Sequence, residues 1–201
     1  MEILLQKSSV RRDDAELVEA SKEIKKQADL LLKSANLIAL LEKYGKVQFS
    51  GSYSYDLMLN PDIDLEVINP DFTREKAVAL LNEIIQQGYF YGYLFFDWVA
   101  FHDQRFPRGY YIGLKIKKDN LKWKIDIWCL NQEDKKTVRL RNLIKKRLSP
   151  GTKKIILKLK NFRNQYHPEI ESIVIYKAVF NDKVASIKEF AKLLKQKKEA
   201  T

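Results

Sequence analysis

Asp62-Ile63-Asp64-Leu65-Glu66-Val67-Ile68 is the stretch that decides the fold. Acidic and apolar residues alternate along it, and Asn60-Pro61 and Asn69-Pro70 mark a turn on either side. Because alternate side chains of a strand share a face, the acidic residues point one way and the apolar residues point into a core. The pattern predicts a strand over 63–68 with one buried face.

The neighbouring segments predict further strands and helices around this one. Lys46 to Ser50 is a short strand that leads to Gly51-Ser52, and Gly45 is expected to end a long helix that begins near Ser9. We predict a helix over 73–87 with Thr73 as its N-cap and Gly88 past its end. The remaining predictions are strands over the aromatic stretch 89–98, 110–116 and 122–128, and helices over 133–148, 152–165, 170–181 and 184–197.

These elements predict an α+β fold, a mixed β-sheet flanked by helices, with a basic helical C-terminal part. We expect three segments: an N-terminal helix packing on the core (1–45), an α/β core (46–131) and a basic helical region (132–201). No apolar run approaches the ~20 residues that span a bilayer, and no signal peptide is expected. The single cysteine, Cys129, fits a reducing compartment. We therefore expect a cytoplasmic protein.

The net charge of +11 is concentrated in one segment. The window from Lys135 to Pro168 holds twelve Lys or Arg and no Asp or Glu, so it exceeds the charge of the whole chain. Concentrated positive charge indicates phosphate-rich partners such as nucleic acid or a nucleoside triphosphate, but a solvated helix face explains it equally well. Part of 152–165 is expected to form a basic stripe from Lys153, Lys154, Lys158, Lys160 and Arg163.

A second acidic strand occurs in Trp123-Lys124-Ile125-Asp126-Ile127-Trp128. Asp126 shares a face with Lys124 and Trp128, while the isoleucines share the other face. A charge on a core strand is costly unless it is paired or metal-bound. If this strand neighbours the first, Asp62, Asp64 and Asp126 converge, and carboxylates of this kind hold Mg²⁺ against phosphate oxygens.

Gly51-Ser52 is a weak signal for phosphate binding. Glycine after a strand lets a backbone approach phosphate closely, and the Ser52 hydroxyl can donate to a phosphate oxygen. If a helix begins at Tyr53, its positive end also favours an anion. Ser52 as a helix N-cap is the structural alternative.

Together these residues resemble the DNA polymerase β-type nucleotidyltransferase superfamily. Phe49-Ser50-Gly51-Ser52, a spacer, Asp62-Ile63-Asp64-Leu65 and a later Ile125-Asp126-Ile127 follow its ordered signature over about 46–130. The resemblance implies a minimal mixed sheet flanked by helices. It also implies that Gly51 and Ser52 hold the β- and γ-phosphates, that Asp62 and Asp64 ligate metal, and that Asp126 ligates the catalytic metal and helps to deprotonate the acceptor. Tyr53-Ser54-Tyr55-Asp56 replaces the Arg and Gly of many drug-modifying members.

The resulting hypothesis is transfer of a nucleoside monophosphate from a nucleoside triphosphate, ATP included, to an acceptor hydroxyl with release of pyrophosphate. Two Mg²⁺ ions are expected, with Mn²⁺ as a substitute, and the acceptor is a small molecule or RNA. The alternative is a non-catalytic nucleotide- or RNA-binding module, antitoxin-like, on the same fold. We expect no membrane partner.

Several other side chains keep two interpretations. Lys124 either contacts the triphosphate or neutralises a carboxylate, and Glu66 is expected at the sheet rim and not on metal. The aromatic residues Tyr91, Tyr93 and Trp98 are core residues more often than base-stacking ones. Cys129 is expected to be packed, and loop positions are expected for His102, Arg105, Arg108 and His167.

Overall fold

The computed structural model describes residues 13–199 of the chain, and all structural statements concern these residues. They form seven α-helices and five strands. The helices are α1 (Asp14–Ser34), α2 (Leu37–Glu42), α3 (Arg74–Gln86), α4 (Lys135–Arg147), α5 (Pro150–Tyr166), α6 (Ser172–Phe180) and α7 (Ile187–Glu199). The strands are β1 (Lys46–Ser50), β2 (Asp62–Ile68), β3 (Gly92–Asp97), β4 (Tyr110–Lys118) and β5 (Leu121–Leu130).

The five strands form one mixed sheet in the order β1-β2-β5-β4-β3. β2 and β5 are parallel neighbours, and the other three pairs are antiparallel. The parallel pair lies at the centre of the sheet, so the two strands that carry aspartates are adjacent. The predicted α+β class with a mixed sheet is confirmed.

The described chain divides into two compact units. One comprises residues 21–147 and contains the whole sheet, and the other comprises 13–20 with 148–199. α1 contributes residues to both units. The predicted segment boundaries at 45 and 131 stay a prediction.

One face of the sheet forms the core of the unit over 21–147. The apolar members of the alternating strands are fully buried there, for example Ile63 and Leu65 of β2 and Ile125 and Ile127 of β5. They belong to one cluster with residues of α1, α2 and α3. The opposite face, which we call the polar face, carries the acidic members of β2 and β5, so strand alternation alone separates the core from the polar face.

The long helix expected from Ser9 to Tyr44 is two helices in the structure, and residues 9–12 lie outside the described range. Asn36 has a φ of 46°, in the left-handed region that stops an α-helix, and α2 begins after it. Gly45 does not end a helix. It lies beside the Ile68 carbonyl, where a Cβ would approach within 2.6 Å of the oxygen, so glycine is needed for close approach to β2.

The other predicted boundaries agree closely with the structure. Thr73 caps α3 by accepting a hydrogen bond from the Lys76 amide, and Gly88 follows the helix with a φ of 71°. Asp119 and Asn120 turn the chain between β4 and β5 with positive φ values, as their residue types favour. The aromatic strand is shorter than predicted, since β3 begins at Gly92 and ends at Asp97.

The unit over 13–20 and 148–199 is helical. α5 begins with a capping box between Ser149 and Thr152, and Pro150 occupies its first turn, so this helix starts two residues earlier than predicted. The expected basic stripe is wrong in part, because Lys160 and Arg163 are buried, at 2% and 8% exposure. No helix in the described residues has the length and apolar character needed to cross a membrane.

Candidate functional site

Three aspartates meet on the polar face at the centre of the sheet. Parallel pairing of β2 and β5 puts Asp64 opposite Asp126, and Asp62 lies two residues earlier, opposite Lys124. Oxygen atoms of the three carboxylates all lie within 4.8 Å of one another. Negative charges this close repel one another unless a cation or hydrogen-bond donors compensate them. The structure therefore brings together the three carboxylates that the sequence singled out.

Gly51 closes one side of this aspartate cluster. It follows β1 with a φ of +60°, and a Cβ at this position would lie 1.8 Å from Oδ2 of Asp64. Any larger residue would therefore displace the Asp64 carboxylate as well as strain the backbone. From the sequence we expected this glycine to allow close approach of a phosphate. In the structure, the group that lies closest to its missing Cβ is the Asp64 carboxylate.

Ser52 follows Gly51 next to the aspartate cluster, but the helix expected from Tyr53 is only a three-residue 3-10 turn, Tyr53–Tyr55. Ser52 makes no side-chain capping hydrogen bond, and its carbonyl instead accepts the Leu57 amide at 3.0 Å. Asp56, with a φ of 54°, ends the turn. A single turn has no substantial dipole, so the helix-end argument for anion binding is wrong here.

Asp126 is held by donors on both carboxylate oxygens. The Tyr111 hydroxyl donates to Oδ1 at 2.6 Å, and the Lys124 ammonium donates to Oδ2 at 2.5 Å. Asp126 itself is only 9% exposed. These two hydrogen bonds fix the orientation of the carboxylate relative to Asp64.

The pKa values of both donors are raised by this environment. For Lys124, burial acts to lower the pKa, but the hydrogen bond to Asp126 and the charges of Asp126, Asp62 and Asp64 outweigh burial and raise it. Burial raises the pKa of the Tyr111 hydroxyl well above its usual value, and the hydrogen bond to Asp126 raises it further. Both groups therefore stay protonated and remain donors near neutral pH.

Tyr111 is the functional side chain that the sequence did not reveal. It lies on β4, beside the strand of Asp126, and reaches the carboxylate across Gly113, the residue directly opposite Asp126. A Cβ on Gly113 would lie 2.7 Å from the Tyr111 hydroxyl, so the glycine leaves the space through which Tyr111 reaches. In the sequence, this contact is indicated only by Tyr111 and Gly113 at alternate positions of one strand. That pattern can be interpreted only when the β4–β5 register is known.

Glu66 does not join the aspartate cluster, and its expected place at the rim is wrong. It is 3% exposed and pairs with Arg141 of α4 at 3.1 Å. Arg141 also donates to Gln48 and pairs with Glu133. Burial raises the pKa of Glu66, and the charge of Arg141 opposes that shift. Glu66 thus anchors α4 to the polar face, because a buried carboxylate needs this partner.

The three aromatic candidates for base stacking separate in the structure. Tyr93 packs against the core and donates to the Phe90 carbonyl, whereas Tyr91 is 62% exposed. Trp98 belongs to a ring cluster that reaches Tyr111 and lies beside Asp126. We call this set the aromatic cluster; its members are Phe96, Trp98, Phe106, Tyr111 and Trp128.

The remaining candidates lie away from the aspartates. Cys129 is fully buried, and burial strongly raises the pKa of its thiol, so it is a packing residue as predicted. His102 and Arg105 are in the loop between β3 and β4, where Arg105 pairs with Asp103 at 2.6 Å. His167 follows α5 and lies 3.5 Å from Glu169.

No protein-family model and no curated protein matches this sequence. Among solved structures, the chain is similar to a crystal structure of the Cid1 poly(U) polymerase with Mg and 3′-dATP bound. The identity is 17% and the TM-score 0.49, and the match covers 76% of this chain and 47% of that chain. The chain is also similar to the structure of the GLD-2/RNP-8 complex, at 11% identity and a TM-score of 0.48, over 84% of this chain and 66% of that one.

This chain therefore spans about half the length of the Cid1 chain. Identities this low carry no activity, substrate or partner over to this chain.

Proposed function

We propose that this chain is a metal-dependent nucleotidyltransferase that moves a nucleoside monophosphate from a nucleoside triphosphate to an acceptor hydroxyl and releases pyrophosphate. The observation that carries the proposal is the convergence of Asp62, Asp64 and Asp126, whose oxygens lie within 4.8 Å of one another. A protein gains nothing in stability from three adjacent carboxylates, because they repel one another. A cation-binding role explains why these residues occupy the centre of the sheet.

The donor set fits Mg²⁺, with Mn²⁺ as a substitute. Carboxylate oxygens are the ligands that Mg²⁺ prefers, and it commonly takes one or two carboxylates together with substrate phosphate oxygens. Asp62, Asp64 and Asp126 would hold two such ions, which would supply charge neutralisation at the transferring phosphoryl group and its leaving pyrophosphate. The missing Cβ of Gly51 leaves the space that the Asp64 carboxylate needs to face the other two.

Gly51, Ser52 and Lys124 are the proposed nucleotide-binding residues. Gly51 carries no side chain, and the Asp64 carboxylate occupies the space of its Cβ, so a phosphate would approach the backbone of this turn from another side. The Ser52 hydroxyl would donate to a phosphate oxygen. Lys124 lies opposite Asp62 on the sheet, and its ammonium pairs with Asp126. When a triphosphate is bound, this ammonium would donate to a phosphate oxygen instead of Asp126. ATP is one triphosphate that these residues would accept.

Asp126 is the proposed residue on the acceptor side. Its carboxylate would receive a hydrogen bond from the attacking hydroxyl and accept its proton as the new bond to phosphorus forms. Tyr111 positions this carboxylate, since its hydroxyl donates to Oδ1. We place the reaction in the cytoplasm, where the buried thiol of Cys129 remains reduced.

The test is transfer of label from α-labelled nucleoside triphosphates, with Mg²⁺ or Mn²⁺, to a mixture of RNA, protein and small molecules from a cell extract. The Asp64→Asn variant keeps the size of the side chain and removes its charge. The matched control is Asp71→Asn, since Asp71 is exposed and lies outside the cluster. We expect label transfer and pyrophosphate release by the wild type and the control, and neither by Asp64→Asn. Equal label transfer by all three proteins would contradict the proposal, as would none by the wild type.

A further inference from the structure

Four lysines lie together on the polar face, beside the aspartate cluster. The register of the β4–β5 hairpin pairs Lys115 with Lys124 and Lys117 with Lys122. All four share the face of Asp126, because they fall at alternate positions on the two strands. Their neighbours at the intervening positions, such as Ile116 and Trp123, are buried on the core side. We call these four residues the lysine face.

Like charges directly opposite one another on neighbouring strands lower the stability of the sheet. Directly opposite residues of an antiparallel pair have Cβ atoms ~5 Å apart, and like charges at that distance are destabilising. The two lysine pairs follow one another along the hairpin at a spacing of about 7 Å, given a rise of ~3.4 Å per residue. Neighbouring pairs therefore repel as well. Nothing in the packing of the hairpin requires a positive charge at these exposed positions.

Three of the four lysines make no compensating ion pair with any residue that the structure describes. Lys124 pairs with Asp126, but within residues 13–199 Lys115, Lys117 and Lys122 have no carboxylate partner. The aliphatic stem of Lys115 lies over Gly92 of β3, with carbon atoms 3.2–3.5 Å from where a Cβ would be, which directs the side chain along the polar face. The lysine face thus presents uncompensated positive charge next to the aspartates.

The aromatic cluster lies on the other side of the aspartates, on the same face. Along β5 the order is Lys122, Lys124, Asp126 and then Trp128, which lies opposite Tyr111. Phe96, opposite Tyr111 on β3, is 45% exposed. Proteins that bind single-stranded nucleic acid combine positive charge that follows the backbone with aromatic rings on which bases stack. Both components therefore flank the carboxylates on one surface.

We infer that the acceptor is a single-stranded nucleic acid whose phosphate backbone runs along the lysine face and whose bases contact the exposed edge of the aromatic cluster. This inference rests on the proposed function, because it places the acceptor's hydroxyl at Asp126. The lysine face extends away from the aspartates, since Lys117 and Lys122 lie one pair beyond Lys124, and it can contact successive phosphates of a chain. The lysine face therefore selects the acceptor by its chain of phosphates.

The test is the affinity of the full chain for a labelled single-stranded oligoribonucleotide, measured by fluorescence anisotropy without nucleotide at several KCl concentrations. The variant is Lys115→Gln/Lys117→Gln/Lys122→Gln, which spares Lys124. The control, Lys188→Gln/Lys192→Gln/Lys195→Gln, removes the same charge from exposed positions of α7. We expect the hairpin variant to bind at least tenfold more weakly at low salt, and the slope of log affinity against log salt to fall by about 2, at ~0.7 per phosphate contact. The control should match the wild type.

Equal weakening in both variants would show that only net charge matters and would overturn the inference. Unchanged affinity in the hairpin variant would overturn it too. A loss of affinity for a non-hydrolysable nucleoside triphosphate, with oligonucleotide affinity retained, would assign the lysines to the nucleotide instead and would also overturn it. The melting temperature of the hairpin variant should equal or exceed that of the wild type, because repulsion is removed, so weak binding cannot come from misfolding.

The proposed function and the inference fail in different measurements. Label transfer that persists in Asp64→Asn contradicts the function. If the wild type transfers label and the hairpin variant binds the oligonucleotide as tightly as the wild type does, the proposed function stands and the inference is wrong.

Discussion

Two clusters of like charge share the polar face of the sheet, and they differ in how they are compensated. The aspartate cluster is compact and partly buried: Gly51 lies against Asp64, and Asp126 accepts hydrogen bonds from Tyr111 and Lys124. The lysine face is exposed and extended, and most of its members have no carboxylate partner among the described residues. Each arrangement costs stability by itself, so each indicates a ligand of the opposite charge.

The difference in shape indicates a difference in ligand. Carboxylate oxygen atoms within 4.8 Å of one another suit small, hard cations. Lysines spread over two successive cross-strand pairs suit a chain of phosphates that has several points of contact. Changes in the aspartate cluster should therefore affect the rate of the chemical step, and changes at Lys115, Lys117 and Lys122 should affect the binding of the acceptor.

The largest effect is expected from Asp126→Asn. Losing one preorganised electrostatic group from an active site costs about a hundred- to a thousandfold in kcat. The hairpin variant, Lys115→Gln/Lys117→Gln/Lys122→Gln, should instead have a higher KM for an oligonucleotide and a kcat at saturation near that of the wild type. Steady-state kinetics of label transfer, with oligonucleotide varied at saturating nucleotide, separates the two. If kcat falls as much in the hairpin variant as in Asp126→Asn, the aspartate cluster and the lysine face do not have the separate roles assigned to them.

A smaller loss is expected from Tyr111→Phe, which removes only the hydroxyl that donates to Asp126. Residues that orient a metal ligand typically contribute about ten- to a hundredfold to metal affinity or activity. The effect should appear chiefly as weaker activation by Mn²⁺, measured by titrating the metal in the transfer assay. Tyr93→Phe is the matched control, since its hydroxyl donates to the Phe90 carbonyl instead. If both variants behave alike, Tyr111 does not position Asp126.

A metal-dependent change in thermal stability should follow from the repulsion within the aspartate cluster. Mn²⁺ at about a hundred times its dissociation constant should stabilise the wild type by roughly 2.7 kcal/mol, and melting curves with and without EDTA measure this. Asp64→Asn relieves the repulsion, so it should melt above the metal-free wild type and gain nothing from Mn²⁺. A variant that melts below the metal-free wild type would contradict the assignment of repulsion to this site.

The smallest effect concerns Lys117→Gln. Removing one member of an exposed, solvent-screened like-charge pair should raise the free energy of unfolding by no more than ~0.5 kcal/mol. Urea denaturation measures it, with Lys188→Gln as the control on an exposed helix. A clear loss of stability would mean that Lys117 contributes to packing, contrary to its exposure.

Much of the fold follows from local sequence because local physics determines it. The alternation over 62–68 and the cap at Thr73 act within a few residues, so they predict β2 and the start of α3 correctly. The break at Asn36 escaped prediction, because the apolar spacing of a helix continues across it. Gly45 was misinterpreted for a different reason: its role depends on the Ile68 carbonyl of a strand that comes later in the chain.

The site could be predicted only in part, because its remainder depends on strand order. The spacing of Asp62, Asp64 and Asp126 singled out the carboxylates, but Tyr111 acquires its meaning only when β4 is placed beside β5. Charge density along the chain was likewise a poor guide to surface charge. The basic window 135–168 contains Lys160, which is buried. The hairpin lysines could not be recognised as a cluster from the sequence, because only the β4–β5 register shows which of them are paired.

If Asp62, Asp64 and Asp126 form a metal site for nucleotidyl transfer, Mn²⁺ should bind there in the presence of a non-hydrolysable nucleoside triphosphate. Electron paramagnetic resonance measures this binding and requires no knowledge of the acceptor. The wild type and Asp71→Asn should bind Mn²⁺, and binding should be lost in Asp64→Asn and Asp126→Asn. Equal Mn²⁺ binding by all four proteins would contradict the claim.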